Sequence, residues 1–274
     1  MKLCRFEPIE SAKQNPNRTM RETMVESRAG VLEEGPGGGT IREISGELWG
    51  ERRTTGREWP VDKVRFLPPS WPSKIICMAK NYVDHAIEMD STPPERPIIF
   101  SKPPSAVIAP LDRIVMPGIS KRVDYEGELA IVIGRRCHRL RPTDDVAPYI
   151  AGYTCLNDVT ARDLQRLDGQ YTRGKGFDTF CPFGPILQTD APTPETKVET
   201  LVNGAVKQSA PLSDLIFPID VVIRWIAEAM TLEPGDVIPT GTPAGVGPLA
   251  PGDVVEVRVS GAGSLRNPVV GPQD

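Results

Sequence analysis

Two glutamates stand two residues apart at the start of an apolar run. Glu126 and Glu128 precede the sequence LAIVI, which predicts a buried β-strand. Side chains at positions i and i+2 of a strand project from the same face, so both carboxylates can converge on one point. Such a pair can chelate a hard divalent cation. An acidic, solvated strand end has the same spacing, and both interpretations stay open at this stage.

A second polar group follows a predicted strand over residues 151–156. Asp158 stands where this strand ends and a helix is expected to begin, a common place for functional groups. Beside Asn157 it can equally be a turn residue. On the expected helix, Arg162 and Gln165 are three residues apart and face the same way. They could grip a carboxylate near Asp158, although solvation of the helix surface accounts for them as well.

The segment NYVDHAIEM places His85 and Glu88 on one face of a short helix. The carboxylate can orient the imidazole and raise its basicity, as a general base that activates water requires. An ordinary ion pair on a helix surface is the alternative. Lys175 lies in the glycine-flanked segment RGKGF, where a ligand can approach the chain closely, or where a solvated loop lysine can lie. The second of the two histidines, His138, receives no role.

Composition excludes several classes of protein. The net charge is −4 and the sequence pI is about 5.5, so neither nucleic acid nor an anionic membrane is an expected partner. The polar start MKLCRFEPIE and the absence of a long apolar run predict a cytoplasmic protein. Five cysteines without CxxC spacing argue against disulfides and structural zinc. The GTPAGVG stretch lacks the context of a nucleotide-binding loop, and no GxSxG motif occurs.

The elements that must position these side chains are short. The chain has 29 prolines and 25 glycines, which favours a mixed, β-rich fold with many turns. We expect a small N-terminal β subdomain over residues 1–70 and a larger domain over residues 71–274. Helices are predicted at 82–89, at 160–167 with a capping box of Thr160 and Asp163, and at 220–230. The predicted strands lie at 30–32, 40–44, 74–78, 97–100, 106–109, 125–133, 151–156, 237–238 and 254–259.

Seven segments, taken in order, resemble the fumarylacetoacetate hydrolase family. They are NYVDHAIEM, IIFSKPPSA, VDYEGELAIVIG, GYTCLNDVTARDLQ, RGKGFDTFCPFGP, VNGAVKQ and LEPGDVIPTGTPAGVG. The resemblance covers about residues 71–270 and extends weakly into the N-terminal part. It implies a roll-like or sandwich catalytic domain, usually dimeric, that holds one divalent cation, Mg²⁺ or Mn²⁺, with Ca²⁺ as a further possibility. Lys80 departs from the many members that have arginine, leucine or another residue there.

The resemblance implies roles for nine positions, and the function follows from them. The matching positions are Glu126, Glu128 and Asp158 for the cation, Arg162, Gln165 and Thr242 for the substrate, and His85, Glu88 and Lys175 for catalysis. We expect a homodimeric, metal-dependent enzyme for a small 2-oxo acid or its enol, hydrolysing a C–C bond of an acylpyruvate or decarboxylating a 2-oxo acid. The alternatives are a 2-hydroxyhepta-2,4-dienedioate isomerase or oxaloacetate tautomerase, and a catalytically silent metal-binding protein.

Overall fold

The computed structural model describes residues 1–14, 18–35 and 38–272 of the chain. Its strands are short, and their bounds are β1 Lys2–Pro8, β2 Arg28–Glu33, β3 Thr40–Gly46, β4 Arg52–Pro60, β5 Val64–Leu67, β6 Ile75–Ala79, β7 Ile98–Lys102, β8 Val107–Ile108, β9 Ile114–Val115, β10 Val123–Tyr125, β11 Gly127–Ile133, β12 Ile150–Asn157, β13 Thr160–Ala161, β14 Cys181–Gln188, β15 Lys197–Val202, β16 Ala205–Pro211, β17 Val237–Pro239, β18 Gly247–Pro248, β19 Val254–Val259 and β20 Gly263–Val270.

Helices are fewer and lie at the margins of the sheets. The α-helices of the described residues are α1 Ile9–Gln14, α2 Met20–Glu26, α3 Val83–Glu88, α4 Arg162–Asp168, α5 Thr172–Lys175 and α6 Ile219–Ala229. Short 3₁₀ turns occur at Val61–Lys63, Pro104–Ala106, Ala147–Tyr149 and Leu212–Asp214. In the described part of the chain, the helices are too short or too polar to cross a membrane.

Three sheets make up the part of the fold that the structure describes, which confirms the mixed, β-rich class. The largest has 12 strands in the order β4-β3-β2-β1-β14-β12-β11-β17-β6-β7, with β5 on β1 and β8 on β14. A five-stranded sheet runs β16-β15-β19-β20-β9, and a three-stranded sheet runs β13-β10-β18. All seven residues of β11 are buried, as expected for a strand whose two faces are both covered.

The main hydrophobic core fills the space between the two larger sheets and α6. Ile131 of β11, Val257 of β19 and Ile226 of α6 belong to this cluster of buried side chains. Contact between apolar side chains from three different layers fixes how the sheets face each other, because packed interiors leave little room for sliding. The core therefore holds β11 in place from one side, while its polar end stays free to carry functional groups.

The N-terminal strands belong to the same large sheet as the rest of the chain. Strand β1 pairs with β2 on one edge and with β14 on the other, where Leu3 lies opposite Leu187. The small N-terminal subdomain is thus joined to the remainder by main-chain hydrogen bonds. The division near residue 70 stays a prediction.

One local prediction is wrong. Thr160 does not cap the helix that follows it, because Ala161 is the N-cap residue of α4 and makes no side-chain cap. Thr160 lies in β13 and donates its hydroxyl to the Asp158 carbonyl at 2.9 Å. Asp163 instead accepts a hydrogen bond from the Ser120 hydroxyl at 2.6 Å and one from the Lys121 N–H at 2.9 Å. Pairing of β13 with β10 outweighs the local capping pattern.

Candidate active site

The three predicted metal ligands lie at the polar ends of two paired strands. Glu126 lies between β10 and β11, Glu128 is the second residue of β11, and Asp158 follows the last residue of β12. The Asp158 N–H donates to the Glu126 carbonyl at 2.8 Å. The Glu126 N–H donates to the side-chain oxygen of Asn157 at 3.0 Å. These two hydrogen bonds fix Asp158 beside Glu126, so the strand pairing builds the acidic cluster.

The residue between the two glutamates has to be glycine. A Cβ at Gly127 would lie 1.9 Å from the hydroxyl oxygen of Thr200, which is a clash. The Gly127 N–H donates to the side-chain oxygen of Gln208 at 3.0 Å. The chain is therefore pressed against the five-stranded sheet on one side. Both glutamate side chains must then face the other side, toward Asp158.

Glu126, Glu128 and Asp158, the acidic triad, fit a divalent cation. One carboxylate oxygen from each residue can be chosen so that all three lie within 4.8 Å of one another, and all three residues are buried. Three carboxylate oxygens are the hard donors that Mg²⁺, Mn²⁺ and Ca²⁺ prefer. The donor set and its spacing match a cation of this kind, and they exclude a soft-ligand site.

Buried cations hold two members of the triad. The Lys175 ammonium donates to Glu126 at 2.7 Å and to Asp158 at 2.6 Å. The Arg162 guanidinium donates to Glu126 at 2.5 Å. The third carboxylate differs: within the described residues, Glu128 accepts one hydrogen bond, from the Gly241 N–H at 2.7 Å, and pairs with no cation. A divalent cation would supply the missing positive charge at Glu128.

The pKa values of the two glutamates move in opposite directions. Burial would raise the pKa of the Glu126 carboxyl, but Lys175 and Arg162 outweigh burial and hold it far below its usual range. At Glu128, burial raises the pKa well above the usual range, and the charges of Asp158 and Glu126 raise it further. Glu128 is therefore the member of the triad whose ionised form most needs a cation beside it.

Two further charged residues belong to this cluster, and sequence patterns did not reveal them. Lys102 is fully buried, and its ammonium donates to the other oxygen of Asp158 at 2.6 Å and to the Val159 carbonyl at 3.1 Å. Asp124 accepts from the Arg162 guanidinium at 3.0 Å. The only signal for Lys102 was its place in the segment IIFSKPPSA. Asp124 likewise lies in the segment VDYEGELAIVIG, outside the ExE pair, and was not singled out.

The predicted substrate-binding residues form hydrogen bonds with other groups of the protein. Arg162 also donates to the Gln165 side-chain oxygen at 2.8 Å. The Thr242 hydroxyl donates to the Gly127 carbonyl at 3.0 Å and accepts from Gln208 at 2.7 Å. All three predicted residues still line the cleft described below. They hold the wall next to the triad in place, and their role toward a substrate stays a prediction.

Lys175 is brought to the triad by close packing of two helices. A Cβ at Gly174 would lie 2.9 Å from the Cβ of Gln165, so only glycine lets α5 approach α4 this closely. In the buried ammonium, burial lowers the pKa, but Asp158 and Glu126 outweigh it and raise the pKa above its usual value. The two carboxylates therefore favour the charged form of Lys175.

The His85–Glu88 pair faces the triad from α3. His85 is buried, and its Nδ1 lies 3.2 Å from a carboxylate oxygen of Glu88. The Glu88 carboxylate accepts a second hydrogen bond, from the Gly245 N–H, at 3.0 Å. It therefore links α3 to the loop after β17. The contact at Nδ1 leaves Nε2 as the ring nitrogen that a bound molecule can use.

A cleft of about 510 Å³ brings these groups together. Of the nine predicted residues, eight line it, and Asp158 lies behind Glu126 as part of the buried triad. Further lining residues that the sequence did not single out for a role include Met78, Met89, Phe100, Arg166 and Tyr171. The cleft is large enough for a small organic acid and combines the two glutamates of the triad, the Lys175 ammonium and a histidine.

Two family models and several known proteins match this chain. Residues 74–270 match the family model described as fumarylacetoacetate (FAA) hydrolase, C-terminal, and residues 1–69 match one described as Rv2993c-like, N-terminal. An uncharacterized protein of Archaeoglobus fulgidus is 53% identical over 234 residues, which cover 85% of this chain and 93% of the relative. The human mitochondrial oxaloacetate tautomerase FAHD2B is 42% identical over 235 residues, 80% of this chain and 74% of its own.

Solved structures extend the agreement to the whole fold. The crystal structure of 5-carboxymethyl-2-hydroxymuconate delta-isomerase from Mycobacterium smegmatis has a TM-score of 0.86 and 42% identity, covering 99% of this chain and all (100%) of that one. The match of the family model to most of the chain, together with these relatives, settles the class. The chain belongs to the fumarylacetoacetate hydrolase family, as the order of its motifs indicated.

Proposed function

We propose that this protein is a divalent-cation-dependent isomerase that moves a proton on a small 2-oxo acid, converting its keto form and its enol form into each other. The observation that carries the proposal is the position of His85 in one cleft with the acidic triad. A general base beside a site for a Lewis acid is the minimum that enolisation requires. Two relatives, an oxaloacetate tautomerase and a delta-isomerase, have names that denote the same kind of proton movement.

The acidic triad would hold Mg²⁺ or Mn²⁺ through Glu126, Glu128 and Asp158. When bound, the cation supplies Lewis-acid polarisation of the 2-oxo group and so stabilises negative charge on its oxygen. Lys175 adds to this stabilisation, because its ammonium is held beside Glu126 and Asp158 and has three N–H donors, of which those two carboxylates take two. The third donor is available to an oxygen of the substrate.

His85 moves the proton. Its Nε2 takes a proton from C3 of the keto acid, the C–H electron pair becomes the C2–C3 double bond, and the charge passes to the 2-oxygen. The imidazolium then returns the proton to that oxygen, which gives the enol. Glu88 stabilises the imidazolium through Nδ1, at 3.2 Å. No group is consumed, so the same steps run in reverse.

Hydrolysis of a C–C bond or decarboxylation, the functions expected first from the sequence, form the second candidate. The observation that favours them is the same His85–Glu88 pair, because an imidazole oriented by a carboxylate can take a proton from water as readily as from carbon. The two functions need the same triad and differ in what His85 deprotonates. The products therefore distinguish them.

The test follows products from metal-free protein before and after addition of Mg²⁺ or Mn²⁺. Oxaloacetate, acetylpyruvate and fumarylpyruvate are incubated separately and observed by NMR, with Glu128→Gln protein as the control. Faster interconversion of keto and enol forms, dependent on the cation and with mass conserved, is the expected result. Cation-dependent fragments or CO₂ would favour the second candidate. If none of the three substrates changes, the protein is a metal-binding protein without this activity.

A further inference from the structure

The segment VNGAVKQ, residues 202–208, shares in the family resemblance but has no part in the proposed mechanism. It ends at Gln208 on β16, which is an edge strand of the five-stranded sheet. Gln208 is the one buried residue of β16, with 1% of its surface exposed, and the residues on either side of it are exposed. Burying an amide is unfavourable unless its hydrogen bonds are made. The contacts of this side chain therefore indicate what its burial serves.

A β-bulge lies directly beside Gln208. Thr200 of β15 is opposite Gln208, and the pairing register shifts after Thr200, so that Lys207 is an extra residue in β16. Bulges are common next to active sites, where they re-aim a side chain. Thr200 is also the residue against which Gly127 is packed. Gln208 therefore enters the interior beside Gly127, which separates the two glutamates of the acidic triad.

The Gln208 amide forms hydrogen bonds at both of its ends. Its oxygen accepts from the Gly127 N–H at 3.0 Å. Its nitrogen donates to the Thr242 hydroxyl and to the Pro243 carbonyl, both at 2.7 Å, so both of its N–H donors are used. The Thr242 hydroxyl donates in turn to the Gly127 carbonyl at 3.0 Å. The main-chain groups on both sides of Gly127 are therefore held by one side chain and its hydroxyl partner.

The same amide holds residues 241–245, the GTPAG loop, because both residues to which its nitrogen donates belong to this loop. The first N–H of the loop, that of Gly241, donates to Glu128 of the triad at 2.7 Å. The last, that of Gly245, donates to Glu88 at 3.0 Å. The loop thus contacts the triad at one end and the partner of His85 at the other.

Close packing also holds the GTPAG loop against β16. A Cβ at Gly245 would lie 2.2 Å from the Lys207 carbonyl oxygen, and Gly245 has a φ of 100°, which favours glycine. The Tyr125 hydroxyl donates to the Gly245 carbonyl at 2.9 Å and is a second hold on this end of the loop. The position of Gly245, and through it that of Glu88, therefore depends on how the loop is attached to β16 and β10.

We propose that Gln208 is a positioning residue that holds the acidic triad and the His85–Glu88 pair in register, through Gly127 and the GTPAG loop. The described residues that line the cleft do not include Gln208, so it acts through the groups it holds. Partners of this kind, behind the groups that bind a metal, orient those groups and affect both metal affinity and activity. The inference rests on the proposed function in one respect, that the triad and His85 act on the same molecule.

The first measurement follows the imidazole signals of Gln208→Met protein by NMR, without substrate. Methionine keeps the length of the side chain and removes its three hydrogen bonds. The chain has two histidines, so protein labelled with ¹⁵N-histidine gives the signals of two rings, which the His85→Asn variant assigns. We expect the His85 signals to move toward their positions in Glu88→Gln protein, because the loop no longer fixes Glu88. The His138 signals should stay in place.

The second measurement is the affinity for Mg²⁺, by titration calorimetry. Gln208→Met should bind Mg²⁺ about tenfold more weakly, because the two glutamates on either side of Gly127 lose their fixed spacing. At saturating Mg²⁺, kcat for exchange of the C3 protons of oxaloacetate should also fall about tenfold. Lys207→Met, at the exposed neighbouring position of β16, is the matched control and should leave all three quantities at their wild-type values. Thr242→Val removes the hydroxyl partner and should change the His85 signals in the same direction.

The outcomes separate positioning from stability and from the function. A purely structural role would lower the unfolding temperature and leave the His85 signals and the Mg²⁺ affinity of the folded protein unmoved, and either result in folded Gln208→Met protein would overturn the proposal. If that variant does not fold, Thr242→Val decides, and His85 signals at their wild-type positions would be the contradicting result. If the wild type exchanges no protons of oxaloacetate, the proposed function fails alone, because the signals and the Mg²⁺ affinity are measured without substrate.

Discussion

The acidic triad is carried by the central sheet, whereas the His85–Glu88 pair is carried by a six-residue helix. Strand pairing positions the triad, and buried ion pairs hold Glu126 and Asp158 in place. Glu88 links the helix to the opposite loop through one N–H, that of Gly245. A cation site requires donors fixed at short distances from one another. A general base requires only that its nitrogen contact the substrate in the correct orientation. Substitutions in the two regions should therefore have different consequences.

The largest effect is expected from Glu128→Gln. Losing one of three carboxylates should lower cation-dependent turnover by roughly a thousandfold or more, because the cation contributes several kcal/mol to the transition state. Without metal, the variant should unfold at the same or a higher temperature than the wild type, since burial and two neighbouring carboxylates disfavour the charged form of Glu128. Scanning calorimetry with and without Mg²⁺ measures the unfolding temperature, and product formation followed by NMR measures turnover. If Mg²⁺ raises the unfolding temperature of the variant as much as that of the wild type, Glu128 is not a ligand of the cation. Glu58→Gln, at an exposed position, is the control.

Lys102→Met tests how far the stability of the protein depends on the ion pairs around the triad. It would leave the buried Asp158 carboxylate without one of its two ammonium partners, and breaking such a pair costs about 3–5 kcal/mol. Urea denaturation should show this loss in the free energy of unfolding. Lys197→Met, the same change at an exposed position, should cost far less. Equal small losses in both variants would mean that the triad does not depend on Lys102.

His85→Asn should affect turnover without affecting the cation site. Removal of a general base slows proton transfer by roughly a hundredfold or more. Binding of Mg²⁺, measured by titration calorimetry, should keep the wild-type affinity, because α3 supplies no ligand to the triad. A variant that keeps most of its kcat would remove His85 from the mechanism. A variant that loses Mg²⁺ binding would show that the two regions are not independent.

The smallest effect is expected from Glu88→Gln. The amide keeps an oxygen for the Gly245 N–H but loses the charge that stabilises the imidazolium, so kcat should fall by about five- to tenfold. Glu95→Gln, on the loop that follows α3, is the control and should leave kcat unchanged. A loss as large as that of His85→Asn would indicate that Glu88 does more than orient the ring.

The sequence predicted the parts of the fold that local patterns encode. The apolar run of β11 and the amphipathic helix α6 have the predicted positions within a few residues. On α6, Val222, Ile223 and Ile226 are buried against the core, whereas Val221 is exposed. Strands β1 and β14 were missed because their buried positions are interrupted by polar residues or by proline and glycine, and because they pair with each other across more than 180 residues of sequence.

The site was predictable where neighbours in sequence share a function. The spacing of Glu126 and Glu128 indicated a shared face, and the order of motifs pointed to Asp158. Lys102 and Gln208 were not singled out, because Lys102 pairs 56 residues away and Gln208 bonds Thr242, 34 residues away. Contacts of this kind are set by strand pairing in three dimensions, and no local spacing records them.

The most direct test of the account is exchange of the C3 protons of oxaloacetate into D₂O. Metal-free protein, the same protein restored with Mg²⁺, and His85→Asn protein with Mg²⁺ are compared by NMR against a protein-free sample that contains Mg²⁺. We predict that exchange above the protein-free rate appears with Mg²⁺ and disappears in the variant. Rapid exchange without the cation, or undiminished exchange in the variant, would contradict the claim that the triad and His85 act together.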